Sequence, residues 1–263
     1  MTWNEQQALE LFDDVAAAVT TALGSLRRDQ FGLLADGAHG GQHGSDVAAD
    51  DAALAVLDRA GVGVLSEESG LRRADHELLV IVDPLDGSTN ASRGIPWFAT
   101  SLAAVDADGL LAALVVNQAT GAKYWATRAG GAFADGRRMQ TSTCDSWRKA
   151  ITGLSGLPPK WLGWNQFRAL GACALDLCAV ADGVLDAYVD CSRDAHGVWD
   201  YAGGMLILQE SGGYVADAFG RDLIVRDARQ KRTPVGASSE TVARQAIVAR
   251  RAADRTASPA DGA

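Results

Sequence analysis

Apolar residues recur every three or four positions in four parts of the chain, the spacing of a helix with one buried face. This pattern predicts helices over residues 6–26, 46–60, 170–181 and 240–253. A fifth helix is expected from Tyr201 to Glu210, with Asp200 as its N-cap and Gly212-Gly213 at its end. Five helices of this size indicate a chain with a strong helical component.

Short apolar runs, many rich in β-branched residues, predict strands between these helices. The runs are 62–65, 78–82, 98–105, 110–117, 123–126, 131–134, 184–189 and 233–238. Pro84 has no N–H to donate, so the second run should stop at Asp83. Residues 106–109 should form a hairpin turn. Segment 135–167 has little pattern, and its Trp161 and Trp164 are more consistent with core packing than with a pocket.

We expect an α/β protein of layered helices and sheets. The 263 residues suffice for one large domain or two intimate halves around a shared core. We expect residues 1–134 to form a helix and antiparallel-sheet half and residues 135–263 to form an α/β half. The functional site should lie between them.

Composition narrows the possible partners. The formal net charge is −9 and no basic run is present, which argues against binding to a nucleic-acid polymer. No apolar run approaches the roughly 20 residues that span a bilayer, and no signal peptide is visible. The four cysteines form no CxxC pair and are expected to be reduced thiols in a cytoplasmic protein. Residues 255–263 resemble a disordered tail.

The segment Asp83-Pro84-Leu85-Asp86-Gly87-Ser88-Thr89-Asn90 carries the clearest chemical signal. Two carboxylates follow a buried strand, and Gly87 turns the backbone into residues that suit a helix start. Carboxylates bind hard cations, while N–H groups at a helix N-terminus bind phosphate oxygens. Such residues also form ordinary turns. Together, the two halves of the segment indicate metal-dependent phosphate chemistry.

A Gly/His-rich segment, residues 37–44, is a second candidate. The spacing of His39 and His43 suggests metal ligation. Glycines on both sides argue against a helix that presents the two imidazoles together, so a mobile loop is the better prediction.

Three segments in order resemble the inositol monophosphatase superfamily of magnesium-dependent, lithium-sensitive phosphatases. They are Ser66-Glu67-Glu68-Ser69, the Asp83–Asn90 segment, and Trp199-Asp200-Tyr201-Ala202-Gly203-Gly204 followed by Glu210-Ser211-Gly212-Gly213. The resemblance spans roughly residues 46–213. It implies a layered αβαβα sandwich of the sugar-phosphatase type and a cytoplasmic enzyme that is a homodimer. The implied substrate is a small phosphate ester.

The resemblance also implies roles for individual residues. Glu67, Asp83 and the Leu85 carbonyl would hold one Mg²⁺, and Asp83, Asp86 and Asp200 would hold a second. Glu67 and the Ser88 hydroxyl would act on the attacking water, and Asp51 would help to hold a third, weaker ion. The residues expected to bind the substrate are Asp86, Gly87, Ser88, Thr89, Gly171, Ala172, Cys173, Asp190 and Asp200. The N–H groups of Gly87, Ser88 and Thr89 would cradle the phosphate.

The chain departs from the family pattern in three respects. Ala48 stands where the family usually has threonine, and the basic residue that often precedes it is not evident. The segment between Asp190 and Asp200 is long, so Arg193 or Asp194 could take the place of Asp190. The substrate therefore stays open among inositol phosphate, another polyol or sugar phosphate, histidinol phosphate and a 3′-nucleotide phosphate.

Two other classes of protein could account for these residues. Aspartyl-phosphate phosphatases also place aspartates after a strand, but one residue separates their pair, whereas two separate Asp83 from Asp86. A catalytically silent, metal-binding relative would require a broken site. All the expected carboxylates are present, so an active phosphatase is the preferred prediction.

Overall fold

The computed structural model describes residues 3–32 and 43–257, the last three without their side chains. Its helices are α1 (Glu5–Ser25), α2 (Gly44–Ala60), α3 (Ser88–Arg93), α4 (Cys173–Ala181), α5 (Val198–Glu210) and α6 (Glu240–Ala257). Short 3₁₀ turns cover Arg28–Phe31 and Trp147–Lys149. The predictions for residues 37–42 and for the tail beyond residue 257 lie outside the described residues.

Thirteen strands are present among the described residues. They are β1 (Gly63–Ser66), β2 (Gly70–Arg72), β3 (Leu79–Asp86), β4 (Ala99–Asp106), β5 (Gly109–Asn117), β6 (Lys123–Thr127), β7 (Gly131–Ala134), β8 (Arg137–Arg138), β9 (Ile151–Ser155), β10 (Gln166–Arg168), β11 (Ala187–Asp190), β12 (Tyr214–Asp217) and β13 (Pro234–Ala237). The first eight form one sheet in the order β2-β1-β3-β4-β5-β6-β7-β8. The other five form a second sheet in the order β10-β9-β11-β13-β12.

The helices separate and cover the two sheets. Helices α1 and α2 pack against each other and on one face of the first sheet, through a core that includes Phe12, Leu57 and Val80. Helices α4 and α5 lie between the sheets, around Leu177, Tyr201 and Ile207. Helix α6 covers the outer face of the second sheet. The layers follow the order helix, sheet, helix, sheet, helix, which confirms the predicted αβαβα class.

The hairpin and the end of α5 confirm two local predictions. β4 and β5 pair in antiparallel fashion as far as Asp106 and Gly109, so Ala107 and Asp108 form the turn. α5 ends at Ser211, and Gly212 follows with φ +97°, the left-handed geometry that glycine adopts without strain. None of the described helices has the length and apolar composition needed to cross a membrane.

Three predicted boundaries are wrong. β3 does not stop at Asp83 but continues to Asp86. The register changes from Asp83 opposite Ser101 to Asp86 opposite Ala99, so β3 carries one extra residue across the irregularity. Such a bulge tolerates the N–H that Pro84 lacks. Helix α4 begins at Cys173 rather than Leu170, after a left-handed Gly171 with φ +90°.

The third wrong boundary is the start of α5. The N-cap is Gly197, and Asp200 lies three residues later, where its carboxylate accepts a hydrogen bond from the Gly197 N–H at 2.6 Å. The carboxylate still bonds to the helix start, but from inside the first turn. This position projects Asp200 from the layer between the sheets.

The segment without a clear pattern, residues 135–167, contains β9, which pairs with both β10 and β11 in the second sheet. Its two tryptophans behave differently. Trp164 is 5% exposed and packs edge-on against Trp147, as expected for a core residue. Trp161 is 67% exposed, so the core prediction is wrong for this side chain.

Candidate active site

Three carboxylates from separate parts of the chain converge at one edge of the first sheet. β1 and β3 run parallel, with Ser66 opposite Val82, so Glu67 and Asp83 emerge together after these paired residues. Asp200 approaches from the first turn of α5. One carboxylate oxygen from each of Glu67, Asp83 and Asp200 lies within 4.8 Å of the other two. We call these three residues the carboxylate cluster.

Asp83 is the most enclosed member of the cluster, at 1% exposure. Its Oδ1 accepts a hydrogen bond from the Leu85 N–H at 3.0 Å, across the Pro84 bulge. Its Oδ2 is buried and has no hydrogen-bond partner among the described residues. Burial, followed by repulsion from Glu67 and Asp86, raises the pKa of Asp83 well above its usual range. An unpartnered buried carboxylate oxygen is costly unless a cation binds it.

Glu67 shares this electrostatic strain. Burial of its carboxylate and then repulsion from Asp200 raise the pKa of Glu67 to about 8, although the residue as a whole keeps an exposed surface. The ammonium of Lys231 opposes this shift only weakly. The cluster therefore holds more negative charge than the protein itself neutralises.

Asp86 lies at the end of β3 and joins the cluster to the middle helix layer. Its Oδ2 accepts a hydrogen bond from the Ala174 N–H, in the first turn of α4, at 2.7 Å. Burial and then the charge of Asp200 raise its pKa well above the usual range. Gly87, with φ +87°, turns the chain into α3, and a Cβ there would lie 3.1 Å from the Trp97 carbonyl oxygen. Any larger residue would be strained at this position.

Asp200 is held by a hydrogen-bonded series that the sequence did not reveal. His196 Nδ1 lies 3.3 Å from Asp200 Oδ2, and His196 Nε2 lies 2.9 Å from the hydroxyl of the fully buried Tyr188. Burial lowers the pKa of His196, but the hydrogen bond to Asp200 and the charges of Asp200, Asp190 and Asp86 together outweigh it, and the net shift is upward. The spacing of His196 and Asp200, four residues apart, was the only available signal.

The acids of α2 differ from the prediction. Asp51 is exposed and lines a separate cavity of about 200 Å³ with Val47 and Arg72. Asp46, in the first turn, instead lies near enough to the Ser88 hydroxyl for that group to lower its pKa, but burial followed by repulsion from Glu68 outweighs this and raises the pKa to about 6. The structure thus brings Asp46, and not Asp51, beside Ser88.

Asp50, one residue before Asp51, has a different environment again. It is buried, and its Oδ1 accepts a hydrogen bond from the Ser66 hydroxyl at 2.5 Å. Ser66 directly precedes Glu67, so Asp50 fixes the backbone from which Glu67 extends. The burial of Asp50 rules out the solvated position that an acid at a helix start usually has.

The start of α4 lies beside α3. The Asn90 amide donates to the carbonyl oxygens of Trp97 and Leu170, both at 2.7 Å, and so ties α3 to the residues before α4. Gly171 is exposed at this junction, whereas Ala172 and Cys173 are buried. The Cys173 thiol interacts with Tyr188 rather than facing solvent. Thr89 is exposed on α3, next to Ser88.

Of the three candidates near the end of β11, Asp190 faces His196. It is fully buried, its Oδ1 accepts a hydrogen bond from Ser192 N–H at 2.8 Å, and its Oδ2 has no partner among the described residues. Burial raises its pKa to about 6, against the opposing charge of His196. Arg193 and Asp194 are exposed, and Asp194 pairs with Arg221 at 2.8 Å.

The donor set fits a hard divalent cation. Its ligand atoms would all be carboxylate or carbonyl oxygens, which Mg²⁺ and Ca²⁺ prefer. Asp83, one member of this set, has a buried Oδ2 with no partner among the described residues. The four cysteines are free and three of them are buried, so they offer no competing thiolate site.

Comparison with known proteins agrees with this chemistry. The model of the inositol monophosphatase family matches residues 9–256. A fructose-1,6-bisphosphatase/inositol-1-monophosphatase of Archaeoglobus fulgidus is 32% identical over 84% of this chain and 88% of its own. The Nus factor SuhB of Pseudomonas aeruginosa is 34% identical over 66% of this chain and 71% of its own.

A solved structure shows the same fold. It is a Pyrococcus horikoshii protein described as similar to inositol-1 monophosphatase, with a TM-score of 0.78, 25% identity, and coverage of 93% of this chain and 96% of its own. The residues matched by the family model include all three members of the carboxylate cluster. The chain therefore belongs to the inositol monophosphatase family and is a phosphoric monoester hydrolase.

Proposed function

We propose that the protein hydrolyses a small polyol or sugar phosphate monoester, such as inositol 1-phosphate, with Mg²⁺ bound at the carboxylate cluster. The observation that carries this proposal is the buried, unpartnered Oδ2 of Asp83, in a cluster where Glu67, Asp83 and Asp200 each place one carboxylate oxygen within 4.8 Å of the other two. A protein without a cation to bind gains nothing from this arrangement. The named substrates of the Archaeoglobus relative support the substrate class.

Glu67, Asp83 and the Leu85 carbonyl would hold one ion, and Asp83, Asp86 and Asp200 would hold a second. Bound divalent cations supply Lewis-acid polarisation of the phosphate and a more acidic water. The protein keeps these ligands in place through backbone donors: Leu85 N–H for Asp83, Ala174 N–H for Asp86 and Gly197 N–H for Asp200. Each donor leaves other carboxylate lone pairs available.

The Ser88 hydroxyl and Asp46 would orient the attacking water. The Ser88 hydroxyl would donate to the nearby Asp46 carboxylate, which would leave an oxygen lone pair of Ser88 free to accept from water. The N–H groups of Gly87, Ser88 and Thr89 would face the phosphate, since the first N–H groups of a helix lack partners within it. Asp190, with its free Oδ2, would accept a hydroxyl of the alcohol portion. Gly171 would line the same side.

A third Mg²⁺ would bind more weakly, near Asp46 and Glu67. This position replaces the one that the sequence suggested around Asp51, because Asp51 is exposed and Asp46 contacts Ser88. Inhibition by lithium, a homodimeric state and a cytoplasmic location follow from the resemblance and form part of the same proposal.

The test is release of inorganic phosphate from inositol 1-phosphate and fructose 1,6-bisphosphate, with Mg²⁺ and with a chelator. We expect turnover that depends on Mg²⁺, and loss of turnover in Asp200→Asn. Asp108→Asn, which changes an acid with an 87% exposed side chain, is the matched control and should behave as the wild type. Turnover that persists in the chelator would contradict the proposal.

A further inference from the structure

Lys231 comes from the loop between β12 and β13, yet its charge acts on the carboxylate cluster. Its ammonium lies 4.3 Å from the centroid of the Trp199 ring, and Trp199 directly precedes Asp200. The ammonium is also close enough to Glu67 to act on that carboxylate. Neither sequence patterns nor the family resemblance had drawn attention to this residue.

The loop is fixed in place by Arg232. The backbones of His196 and Arg232 bond to each other in both directions, at 3.2 and 2.8 Å. The buried Arg232 guanidinium donates to the carbonyl oxygens of Asp222 and Lys231, at 2.7 and 3.0 Å, and to the Gln230 side chain at 2.8 Å. These bonds hold the backbone of Lys231 beside the start of α5. The position of the ammonium is therefore built into the fold.

The ring beneath the ammonium is equally constrained. A Cβ on Gly197 would lie 2.4 Å from the Trp199 ring, so the indole packs directly on the Gly197 backbone. Trp199 is 5% exposed. An ammonium over a buried indole gains cation–π stabilisation without a carboxylate partner. The ring thus supports Lys231 at the rim of the cluster while leaving its N–H donors available.

Those donors are not engaged by any of the residues that the structure describes. Among the residues that the structure describes, no carboxylate oxygen lies within 4 Å of the Lys231 ammonium, and no hydrogen bond engages it. Divalent cations at the cluster would repel this ammonium, since like charges at short range are unfavourable. An anionic oxygen between them would remove the repulsion and satisfy the free donors.

We propose that Lys231 binds a phosphoryl oxygen of the ligand held at the carboxylate cluster. The inference rests on the proposed function for the identity of the ligand, but it concerns a contact from the second half of the chain that the metal ligands do not provide. Lys231 would couple the binding of cations to the binding of phosphate, because phosphate would bind more tightly when both the cations and the ammonium are present. The contact would also favour substrates with the greatest phosphate charge.

The test compares wild type, Lys231→Met and Lys231→Arg, with Lys149→Met as the control. Met retains the length and the contact with Trp199 but removes the charge, and Arg restores the charge. Lys149 is an exposed lysine paired with Asp145. Calorimetry would measure the binding of inorganic phosphate at saturating Mg²⁺, and separately the binding of Mg²⁺ alone. Thermal melting would confirm that each variant is folded.

We expect Lys231→Met to bind phosphate roughly tenfold or more weakly, the scale of losing one hydrogen bond to a charged group. Lys231→Arg should retain most of the affinity, and Lys149→Met all of it. Binding of Mg²⁺ alone should be unchanged or tighter in Lys231→Met. This combination separates a phosphate ligand from a residue that merely supports the fold.

A second experiment, which measures kcat/KM for two substrates, identifies which phosphate group of the substrate Lys231 contacts. Equal losses of kcat/KM for inositol 1-phosphate and fructose 1,6-bisphosphate would assign Lys231 to the reacting phosphate. A loss confined to the bisphosphate, with binding of inorganic phosphate intact, would assign it to the second phosphate. Unchanged phosphate binding and unchanged kcat/KM for both substrates would overturn the inference. If the wild type turned over neither substrate but Lys231→Met still bound phosphate more weakly, only the proposed function would fail.

Discussion

Asp83 and Asp217 are both buried aspartates near the ends of strands, but their surroundings are opposite. Asp217, the last residue of β12, accepts five hydrogen bonds, from Phe219 N–H, Arg221 N–H, two donors of the Arg221 guanidinium and Thr233 N–H. Asp83 accepts one hydrogen bond from a described residue and has a bare Oδ2. Burial raises the pKa of Asp217, but hydrogen bonds from Arg221 and from the backbone together lower it by more, so the net shift of the pKa is downward. The pKa of Asp83 rises.

The difference separates a structural carboxylate from one prepared for a ligand. The network of Asp217 is complete within the protein, and it holds together residues 217–233. Asp83 lies among other acids, so its charge is unfavourable until a cation arrives. A buried polar group without a partner contributes to function at the expense of stability.

The largest expected effect is on turnover, when the charged carboxylate of Asp83 is replaced by the neutral amide of asparagine. Asp83→Asn should lower turnover on the order of 10³-fold, because it removes a charged ligand at the reacting centre. Without metal the same variant should be as stable as the wild type or more so, since repulsion within the cluster is relieved. Phosphate release and thermal melting in a chelator would measure the two effects.

Asp217→Asn should show the reverse behaviour. It removes the charge that pairs with Arg221 and replaces one accepting oxygen by an amide nitrogen that cannot accept, so at least two of the five hydrogen bonds are lost. We expect a loss of about 2–4 kcal/mol in the free energy of unfolding. Turnover by the folded protein should fall far less than in Asp83→Asn. Urea denaturation would provide the comparison, and equal stability losses in the two variants would remove the distinction.

The next effect concerns the Ser88 hydroxyl, which is proposed to orient the attacking water. Ser88→Ala should cost about 10²-fold in turnover, the usual scale for a group that positions a proton or water, and Ser88→Thr should be tolerated. A pH–rate profile for each variant would measure this. If Ser88→Ala matched the wild type at every pH, the hydroxyl would have no role in turnover.

The acids of α2 should have a smaller effect, on the requirement for metal. Asp46→Asn should raise the Mg²⁺ concentration for half-maximal activity by about tenfold, a typical cost of removing a group that supports a metal site. Asp51→Asn, on the exposed face of the same helix, should change little. A larger effect for Asp51 would favour the position that the sequence had suggested.

The smallest predicted effect is a pair of opposite pH trends in stability. Carboxylates with raised pKa values bind more protons in the folded state, so the metal-free protein should lose stability as the pH rises from about 4.5 through about 8, the pKa of Glu67. Asp217, with a lowered pKa, stabilises the fold above its unfolded pKa, and this contribution is lost as the pH falls through the folded value. Saturating Mg²⁺ should flatten the first trend and leave the second. Melting temperatures from about pH 2 to about pH 8, with and without Mg²⁺, would test both.

Sequence patterns predicted the frame of the fold because its elements have local signatures. The apolar spacing of α1, α2 and α6 and the two-residue hairpin between β4 and β5 are examples. β9 gave no such signal, because residues 151–155 are short and their pairing partners lie far along the chain. The bulge at Pro84 depends on how β4 accommodates a missing donor, which β3 alone does not specify.

The candidate site shows the same limit. Glu67, Asp83, Asp86 and Asp200 could be named from three short motifs in order. Asp46 could not be separated from Asp50 and Asp51, because one residue on a helix rotates a side chain by about 100° and only packing fixes the phase. Lys231 lay beyond any motif, since a loop pinned by Arg232 brings it to Trp199. The metal-binding part was local in sequence, whereas the contacts around it arise from tertiary structure.

The central claim is that the carboxylate cluster is an intrinsic site for divalent cations. Calorimetric titration of Mg²⁺ into the metal-free protein, without substrate, tests it most directly when wild type and Asp83→Asn are measured side by side, with Asp108→Asn as the exposed control. The account predicts saturable binding to the wild type and to Asp108→Asn, and loss of the tighter binding step in Asp83→Asn. Equal Mg²⁺ binding by all three proteins, or binding by none, would contradict it.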